Sequence, residues 1–521
     1  MPVIICLSSL KFGNAQKSGG WKFESRGGAR ERRPSRNALL VPAPHLCYCP
    51  ARETKWRFPI RSADSSCKTQ LKEWKRDPKM RNPMHVLLLM VAIAVGGCGE
   101  KEPTPGPAPP KGKREVREAR GTLTFWHIMN YEGPREVIEA AVRRFEAANP
   151  DVKVNLQTFD NDPYKTKLNI EMASGTPPDV FFTWGGGGLA SFAEAGRALD
   201  LTDALRKDGW QDRFLPQPLS FCTCGGRVYA APLDLSCVPV WYNAELFAKQ
   251  QLATPKTFDE LLDLCKKLRA KGITPMALGN MQQWPGAFYF IYLAARIGGA
   301  ELFIDAAARK PGKSFNDPSF IRAGELLQKL IEARAFSTGF NGIEDGHART
   351  QFLNGDAAMY LMGTWVVARA KEEKPDFLPK MKCFPFPSVD SGKGDPAIMV
   401  GGVNCAFAVS ATCKRPEKAI ELLRLLTAEE VGQSWCKIGR IPALRVREDA
   451  VAQLPAPTRA ARGLLEAAKT IQPYYDQYLP PRLAEEHKKT TQGLFARTLT
   501  PAEAAERMEK CARELERQPP K

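Results

Sequence analysis

The amino-acid sequence predicts an α/β protein that folds into two lobes. Patterns typical of strands and of helices alternate along the chain from about Gly121, which favours a parallel sheet with helical crossovers. This body extends to about Gln518, roughly 400 residues, and a single hydrophobic core rarely grows to that size. No internal repeat of roughly 20–50 residues accompanies this pattern, which argues against a repeat array.

The first three strands and two helices are placed by the spacing of their apolar residues. Residues 122–126 and 152–156 alternate between apolar and polar side chains, and residues 179–184 form a run typical of a buried strand. Residues 134–148 and 164–174 carry apolar side chains at helical spacing. An Asn-Pro pair ends the first of these helices and a glycine ends the second.

Several later helices are indicated by the residues at their start. Thr257, Thr427 and Thr500 each stand three residues before a glutamate, which is the pattern of a capping box. Pro416 fits the first turn of a further helix, where the missing N–H costs nothing. We therefore expect helices to begin just after each of these four positions.

Residues 80–97 are predicted to be an export signal. Arg81 precedes an apolar run that is shorter than the about 20 residues needed to cross a bilayer, and small residues lead into Cys98. This arrangement resembles the lipobox of bacterial lipoproteins, in which the cysteine is lipidated and becomes the mature N-terminus. The resemblance implies lipidation of Cys98 and a membrane anchor in the cell envelope. The alternative is a signal peptide with an incidental cysteine.

The segments on either side of this signal carry no folding pattern. Residues 1–79 hold 17 Lys and Arg against 6 Asp and Glu and show no periodicity, so we expect them to be disordered. We interpret them as a mis-annotated upstream segment, with translation starting at Met80; a nucleic-acid-binding arm is the alternative. The rest of the chain is only mildly basic, so no nucleic-acid partner is expected. Residues 98–120 are rich in proline and predict an extended tether.

Motifs along the body resemble the extracellular solute-binding proteins, family 1, of which maltose-binding protein is the best-known member. No single motif is diagnostic, but their order and spacing together are specific. The motifs are Gly121–His127, Phe145–Pro150, Gly175–Val180, Gly226–Asp234, Trp241–Asn243, Phe352–Met359 and Gly363–Trp365. The resemblance implies a periplasmic-binding-protein-like fold of class II with a hinge between two lobes.

The resemblance also implies a domain division and a function. Lobe one would comprise residues 121–235 plus 397–445, and lobe two residues 236–396 plus 446–521. A sugar or oligosaccharide would bind in the cleft between them and be delivered to the permease subunits of an ABC importer. We expect a monomer with no cofactor, no metal and no catalytic residue.

A sugar site needs flat aromatic side chains for the ring faces and polar side chains for the hydroxyls. Ligands of open α/β sheets lie beyond the carboxyl ends of the strands, and matches to the family add further positions. Gly185–Gly188 is expected to leave room for a ligand, and Tyr242 rather than Trp241 to face the cleft. Asp234 fits either a sugar contact or a hinge cap. The candidate binding residues are Trp126, Asn130, Glu132, Trp184, Asp234, Tyr242, Trp284, Trp365, Gly402 and Asn404.

Other functions are weighed against this one. A secreted glycosidase would also need aromatic residues and a pair of carboxylates, but the metal-binding and nucleophile motifs of common hydrolases are absent from the sequence. Receptors for a polyamine or a metal share the fold class and stay open as alternatives. The odd number of cysteines after Cys98 leaves at least one free thiol, and a bridge among Cys222, Cys224 and Cys237 is conceivable.

Overall fold

The computed structural model describes residues 121–517. The upstream segment, the export signal, Cys98 and the tether lie outside the described residues. The strands are β1 (Gly121–His127), β2 (Val152–Thr158), β3 (Val180–Thr183), β4 (Thr223–Cys224), β5 (Arg227–Val228), β6 (Ala230–Cys237), β7 (Val240–Asn243), β8 (Thr274–Ala277), β9 (Ala357–Leu361), β10 (Met381–Phe384), β11 (Met399–Val409), β12 (Ile441–Pro442) and β13 (Ile471–Gln472).

The helices lie between these strands and after them. They are α1 (Glu132–Ala148), α2 (Asn161–Ser174), α3 (Gly186–Glu194), α4 (Thr202–Arg206), α5 (Pro216–Phe221), α6 (Ala244–Lys249), α7 (Phe258–Ala270), α8 (Trp284–Gly298), α9 (Glu301–Ala307), α10 (Pro318–Glu332), α11 (Asp345–Asn354), α12 (Trp365–Glu373), α13 (Pro416–Leu426), α14 (Glu429–Lys437), α15 (Glu448–Val451), α16 (Ala456–Ala467), α17 (Tyr475–Tyr478), α18 (Pro481–Ala496) and α19 (Pro501–Glu516). Short 3₁₀ turns cover Lys207–Arg213, Phe340–Gly342 and Pro375–Lys380.

Two main sheets organise these elements. The larger has the order β12-β6-β11-β3-β1-β2, with β13 paired to β11, and the smaller has the order β10-β7-β9-β8. Strand β1 pairs in parallel with both β2 and β3, which confirms the predicted parallel crossovers. Strand β11 runs antiparallel to both β3 and β6, so the larger sheet is mixed. The protein is α/β, as the sequence predicts.

Each sheet has its own hydrophobic core. One core draws its buried residues mainly from 123–233 and 403–444, and the other mainly from 235–400 and 461–512. We call these parts the first lobe and the second lobe. Strands β6 and β11 contribute to both cores, because each runs from one lobe into the other as a paired ribbon. The predicted crossing near Leu235 lies within this ribbon.

A helix begins at or just after each of the four predicted positions, but the capping boxes form at only two of the three threonines. Thr257 and Thr500 form complete capping boxes, and Pro416 lies in the first turn of α13. The predicted box at Thr427 is wrong. That hydroxyl donates to the Leu423 carbonyl at 2.7 Å and accepts from the Trp210 indole at 3.0 Å, so it ends α13 from inside the core instead of starting α14.

The thiols of the described region are all free. Cys265 and Cys511 are buried on apolar helix faces, and the conceivable bridge among Cys222, Cys224 and Cys237 is not formed. Within residues 121–517 no group of three or more His, Cys, Asp or Glu is placed to hold a metal ion. No single helix of this region has the length and apolar content to cross a membrane; the bent pair α8 and α9 meets that test across a 104° break.

Two histidines are buried without charge. The pKa of His127 is lowered to about 4 by burial, and its Nδ1 accepts a hydrogen bond from the Met129 N–H at 3.1 Å, which requires that nitrogen to be unprotonated. Burial, with the nearby charge of Lys488, lowers the pKa of His487 to about 3. Below pH 6.5 the unfolded chain therefore binds protons that the folded protein does not.

Replacing His487 with leucine should make the protein less sensitive to acid. As pH falls from 6.5 towards the folded pKa values, each buried histidine should lower the free energy of unfolding by up to about 1.4 kcal/mol per pH unit. The His487→Leu variant should show a shallower decline in chemical denaturation at pH 4 to 6.5. The exposed His347 provides the control, because His347→Leu should leave the slope unchanged. Equal slopes for wild type and His487→Leu would contradict this assignment.

Candidate ligand-binding cleft

A cleft of about 650 Å³ separates the two lobes. The first lobe lines it with the segments that follow its parallel strands: residues 128–131 after β1, residues 160–165 after β2, and Trp184 after β3. The second lobe contributes the N-terminal ends of α8, α11 and α12 and the segment 474–477. The carboxyl ends of parallel strands meet at one edge of a sheet, so these loops come together although they are distant in sequence.

Four aromatic side chains form one wall of the cleft. They are Trp284, Phe288, Trp365 and Tyr474, which we call the aromatic platform. The Trp365 ring centroid lies 6.1 Å from that of Trp284, 6.2 Å from that of Phe288 and 6.5 Å from that of Tyr474. Both tryptophans are half-buried, so part of each ring faces the cleft. Such a wall offers flat apolar surface to the ring face of a sugar.

The position of Trp365 depends on the glycine two residues before it. A Cβ at Gly363 would lie 2.0 Å from Cζ3 of the Trp365 ring, closer than two carbon atoms can approach. Only a residue without a side chain allows the indole to lie against the backbone there. The glycine in the Gly363–Trp365 motif is therefore required by the packing of the Trp365 ring against the backbone.

Trp184 faces the cleft from the first lobe, next to a cation. The Lys165 ammonium lies 4.7 Å from the centre of the Trp184 ring and 3.8 Å from the Asp476 carboxylate of the second lobe. Burial lowers the pKa of Lys165, and the Asp476 charge opposes that shift. The ammonium therefore occupies one face of the indole and joins the two lobes at the floor of the cleft.

A hydrogen-bonded carboxylate lies at the start of α11. The Tyr360 hydroxyl donates to Asp345 Oδ1, and the Arg349 guanidinium lies 3.9 Å from Asp345 Oδ2 and 2.9 Å from Glu373. Burial raises the pKa of Asp345, while the Tyr360 bond and the Arg349 charge oppose that shift. The remaining lone pairs of Asp345 are suited to accept from a ligand hydroxyl.

An ion pair lies at the hinge ribbon, where Arg440 lines the cleft and Asp234 does not. Arg440 bonds to Asp234 Oδ2 through Nε, at 2.9 Å, and through Nη2, and its Nη1 donates to the Tyr131 hydroxyl at 2.6 Å. The amide of Asn404 donates to the same Asp234 oxygen at 3.0 Å. Asp234 is 1 % exposed, so its carboxylate holds the hinge together and is not presented to the cleft. Of the two sequence interpretations of Asp234, the structure favours the hinge.

Helix α12 of the second lobe bridges to the first lobe at the edge of the cleft. Its Arg369 guanidinium lies 3.7 Å from the centre of the Tyr131 ring and donates to Asn130 Oδ1 at 3.0 Å. The Asn130 amide in turn donates to Asp160 at 2.6 Å. Burial lowers the pKa of Arg369.

Two further bonds join α12 to the first lobe outside the cleft. Lys371 Nζ donates to the Lys437 carbonyl at 2.7 Å, and the Glu132 N–H donates to Glu372 Oε1 at 3.2 Å. Helix α12 therefore holds the lobes in their present arrangement.

Half of the predicted binding residues line the cleft, and half do not. Asn130, Trp184, Trp284, Trp365 and Asn404 line it, although three of the four gaps between consecutive members exceed 50 residues. The predicted residues placed elsewhere are Trp126, Glu132, Asp234, Tyr242 and Gly402.

The two predicted residues near the end of β1 are placed away from the cleft. Trp126 is 8 % exposed and packs on Phe159 at 5.1 Å, with the Lys167 ammonium 4.7 Å from its ring. Strand β1 continues to His127, so the ligand-facing loop begins one residue later than the sequence suggests. Glu132 starts α1 with its side chain exposed, and only its backbone takes part in the interlobe bond.

The prediction for Tyr242 is not supported by its position in β7. Neighbouring strand residues face opposite sides of a sheet, and the Tyr242 ring packs on Phe247 at 4.7 Å and on Phe384 at 5.7 Å. Trp241 is buried, as expected, and its indole donates to the Met362 carbonyl at 2.8 Å. The two ring contacts hold Tyr242 on the side of the sheet away from the cleft.

Three of the four glycines predicted to leave room for a ligand, Gly185 to Gly187, are instead close to other backbone segments, and only Gly188 has open space beside it. A Cβ at Gly186 would lie 2.3 Å from the Gln477 carbonyl, and a Cβ at Gly187 would lie 2.4 Å from the Leu479 carbonyl. The chain around α17 thus occupies the space that the sequence assigns to a ligand. Gly402 borders a separate small cavity behind Tyr474, where its own Cβ would lie 3.7 Å from that ring.

Several cleft residues were not among the sequence predictions. Asp345 and Tyr474 are the clearest: the first begins α11 directly after Glu344, and the second follows Pro473 in a short turn before α17. An acidic residue at a helix start and an aromatic pair after a proline are weak signals, because many structural residues share them. Arg349 and Arg369 lie within helices whose sequence patterns show no site.

Comparison with known proteins shows which family this architecture belongs to. The family model of the bacterial extracellular solute-binding proteins matches residues 131–433. An uncharacterised ABC transporter extracellular-binding protein of Pyrococcus horikoshii is 28 % identical over 302 residues, which cover 55 % of this chain and 65 % of that relative. The chain thus spans just under two thirds of that relative.

Two solved structures share the fold. One, from work on xylan utilisation by the thermophilic bacterium Caldanaerobius polysaccharolyticus, is 33 % identical with a TM-score of 0.71, over 75 % of this chain and 99 % of that chain. The other is a chitin oligosaccharide binding protein that is 25 % identical with a TM-score of 0.69, over 75 % of this chain and 98 % of that chain. These likenesses confirm the predicted two-lobe, solute-binding-protein fold. The chain belongs to the bacterial extracellular solute-binding protein family.

Proposed function

We propose that this protein is the receptor subunit of an ABC importer and that it binds a sugar or oligosaccharide in the cleft between its lobes. The observation that carries the proposal is the aromatic platform facing a wall of polar side chains across the cleft. Aromatic faces stack on sugar rings, while carboxylates and amides hydrogen-bond the hydroxyls. The two similar solved structures point the same way, because one comes from work on xylan utilisation and the other binds chitin oligosaccharides.

The cleft size is consistent with a ligand of more than one sugar ring. Its volume of about 650 Å³ lies within the usual range of small-molecule sites, about 300–1,000 Å³. Binding is expected to be an equilibrium that favours the closed arrangement, because a ligand in the cleft contacts both lobes. We infer that the permease recognises this closed form and that the receptor carries out no catalysis.

Calorimetric titration with oligosaccharides, combined with analysis of the sugars afterwards, tests this function. We expect saturable one-to-one binding of at least one member of a panel of xylo-, chito- and malto-oligosaccharides, with each sugar recovered intact. Release of shorter sugars would instead establish a glycosidase. No binding across the panel would contradict a sugar receptor, and polyamines and metal ions would then be titrated.

The bonds made by Lys371 and Glu372 are expected to favour closure. Removing both in the Lys371→Ala/Glu372→Ala variant should weaken sugar binding by about three- to ten-fold, because each exposed hydrogen bond contributes on the order of 0.5 kcal/mol or more. Small-angle scattering of the unliganded variant should also show a larger radius of gyration. Both side chains lie outside the cleft, so they do not contact the ligand.

A matched control removes an exposed pair that lies within one lobe. Asp263 and Lys266 of α7 form such a pair at 3.1 Å. The Asp263→Ala/Lys266→Ala variant should keep both the wild-type affinity and the wild-type radius. If the Lys371→Ala/Glu372→Ala variant also kept the wild-type affinity and radius, the proposed role of α12 in closure would be wrong.

We also propose that the mature protein is exported and held at the membrane by a lipid on Cys98. The support is the sequence order of basic residues, a short apolar run, small residues and cysteine. A Cys98→Ser variant should lose incorporation of labelled fatty acid and leave the membrane fraction of cells. Retention of the label in that variant would contradict this proposal.

A further inference from the structure

The cations of the cleft are already engaged by groups of the protein itself. Arg440 is buried against Asp234, and Arg349 lies 2.9 Å from Glu373. The Lys165 ammonium lies between Asp476 and the Trp184 ring. The guanidinium of the fourth cation, Arg369, lies over the Tyr131 ring and bonds to Asn130. An anionic ligand would have to displace one of these internal partners.

Several carboxylates of the cleft, in contrast to most of these cations, have no ion-pair partner in the described part of the chain. Asp160, Asp162 and Glu344 all line the cleft, and none of them forms an ion pair with a residue in the range 121–517. Asp160 accepts from the Asn130 amide at 2.6 Å, and Asp162 accepts from the Asn161 amide at 2.8 Å. Each keeps lone pairs free for donors such as sugar hydroxyls, since an ionised carboxylate accepts several hydrogen bonds.

We propose that the cleft selects uncharged oligosaccharides and discriminates against those that carry a uronic acid. The proposal rests on the sugar-receptor function and adds a substrate class to it. Unpaired carboxylates repel a ligand carboxylate across the cleft, whereas internally bonded cations offer it little compensation. Hydroxyl groups donate to the same carboxylates without any change in charge, so a neutral chain meets both hydrogen-bond acceptors and the aromatic platform in the cleft.

The test compares matched ligands on the purified protein. Xylotetraose, chitotetraose and maltotetraose are titrated first, and the tightest of them is then compared with the same chain carrying one glucuronic acid. We expect the acidic form to bind at least ten-fold more weakly at low salt. The difference should shrink in 0.5 M NaCl, because salt screens the repulsion. If none of the neutral sugars binds, the receptor function itself fails; if the acidic form binds equally or more tightly, the discrimination alone is overturned.

Variants locate the source of the discrimination. The Asp160→Asn/Asp162→Asn variant keeps the size of both side chains and removes two negative charges, so the ratio of neutral to acidic affinity should fall at least three-fold. The control is Asp203→Asn, because Asp203 of α4 is fully exposed and lies away from the cleft. It should keep the wild-type ratio. An unchanged ratio in the double variant, or tight binding of the acidic sugar that is lost in Arg369→Met, would overturn the proposal.

Discussion

Replacing Trp365 with alanine is expected to weaken oligosaccharide binding by about 30- to 150-fold. The indole lies at the centre of the aromatic platform, within 6.5 Å of the rings of Trp284, Phe288 and Tyr474. Removing a central, desolvated aromatic side chain from a binding site costs on the order of 2–3 kcal/mol. Part of that cost is the stacking surface itself and part is the cavity left beside Phe288. Calorimetric titration of the variant against the sugar bound by the wild type measures the loss.

Three further variants separate stacking from a general loss of structure. Trp365→Phe should restore part of the affinity, because a smaller flat ring remains. Gly363→Ala should weaken binding without touching the platform chemically, since the new methyl group would displace the Trp365 ring. Tyr229→Ala removes a half-buried aromatic residue of the first lobe that does not line the cleft and should leave affinity unchanged. An affinity of Trp365→Ala within two-fold of wild type would refute the placement of the site.

Replacing Asp234 with alanine is expected to lower the free energy of unfolding by about 3–5 kcal/mol. The change leaves the Arg440 guanidinium buried, 2 % exposed, with only the Tyr131 hydroxyl still bonded to it. Breaking one half of a buried ion pair is costly because the remaining charge is neither solvated nor paired. Chemical denaturation of Asp234→Ala and wild type at pH 7 measures the difference. The folded variant should bind sugar more nearly like wild type than Trp365→Ala does, since Asp234 does not line the cleft.

A double variant shows whether the loss comes from the unpaired charge. In Asp234→Leu/Arg440→Met both charges are replaced by apolar groups, so most of the stability lost in Asp234→Ala should return. If the double variant is as unstable as the single one, the ion pair is not the source of the effect. If Asp234→Ala abolishes binding by a stably folded protein, a role for Asp234 in the hinge alone is wrong, because the loss then reaches the ligand directly or through Asn404 and Arg440, which line the cleft.

The local part of this structure was predictable from the sequence. Apolar spacing located the first three strands and two helices, and the threonines at 257 and 500 marked helix starts that the structure forms. Such signals work because each depends on residues within about four positions of one another. The capping pattern at Thr427 failed because a contact with Trp210, far away in the chain, uses the same hydroxyl. A capping rule that considers only neighbouring residues cannot take account of a hydrogen bond from a residue far away in the chain.

The site was predictable in part. Tryptophans that follow strands or open helices, such as Trp184 and Trp284, line the cleft because the ends of neighbouring strands meet there. Trp126 and Tyr242 were misplaced because a shift of one residue in a strand turns a side chain to the opposite face. The order of residues alone does not show where a strand stops or which of its faces is covered.

By itself, the sequence determined the α/β class, the need for two cores, the family and five of the cleft residues, because these follow from local periodicity and from the order of motifs. Only the tertiary structure decided which charges are free to meet a ligand. Asp234 forms a buried ion pair with Arg440, which lies some 200 residues away in sequence, while Asp160 keeps free lone pairs. The partner of a charged side chain depends on which distant segments fold against it, and that decides between a structural and a binding role.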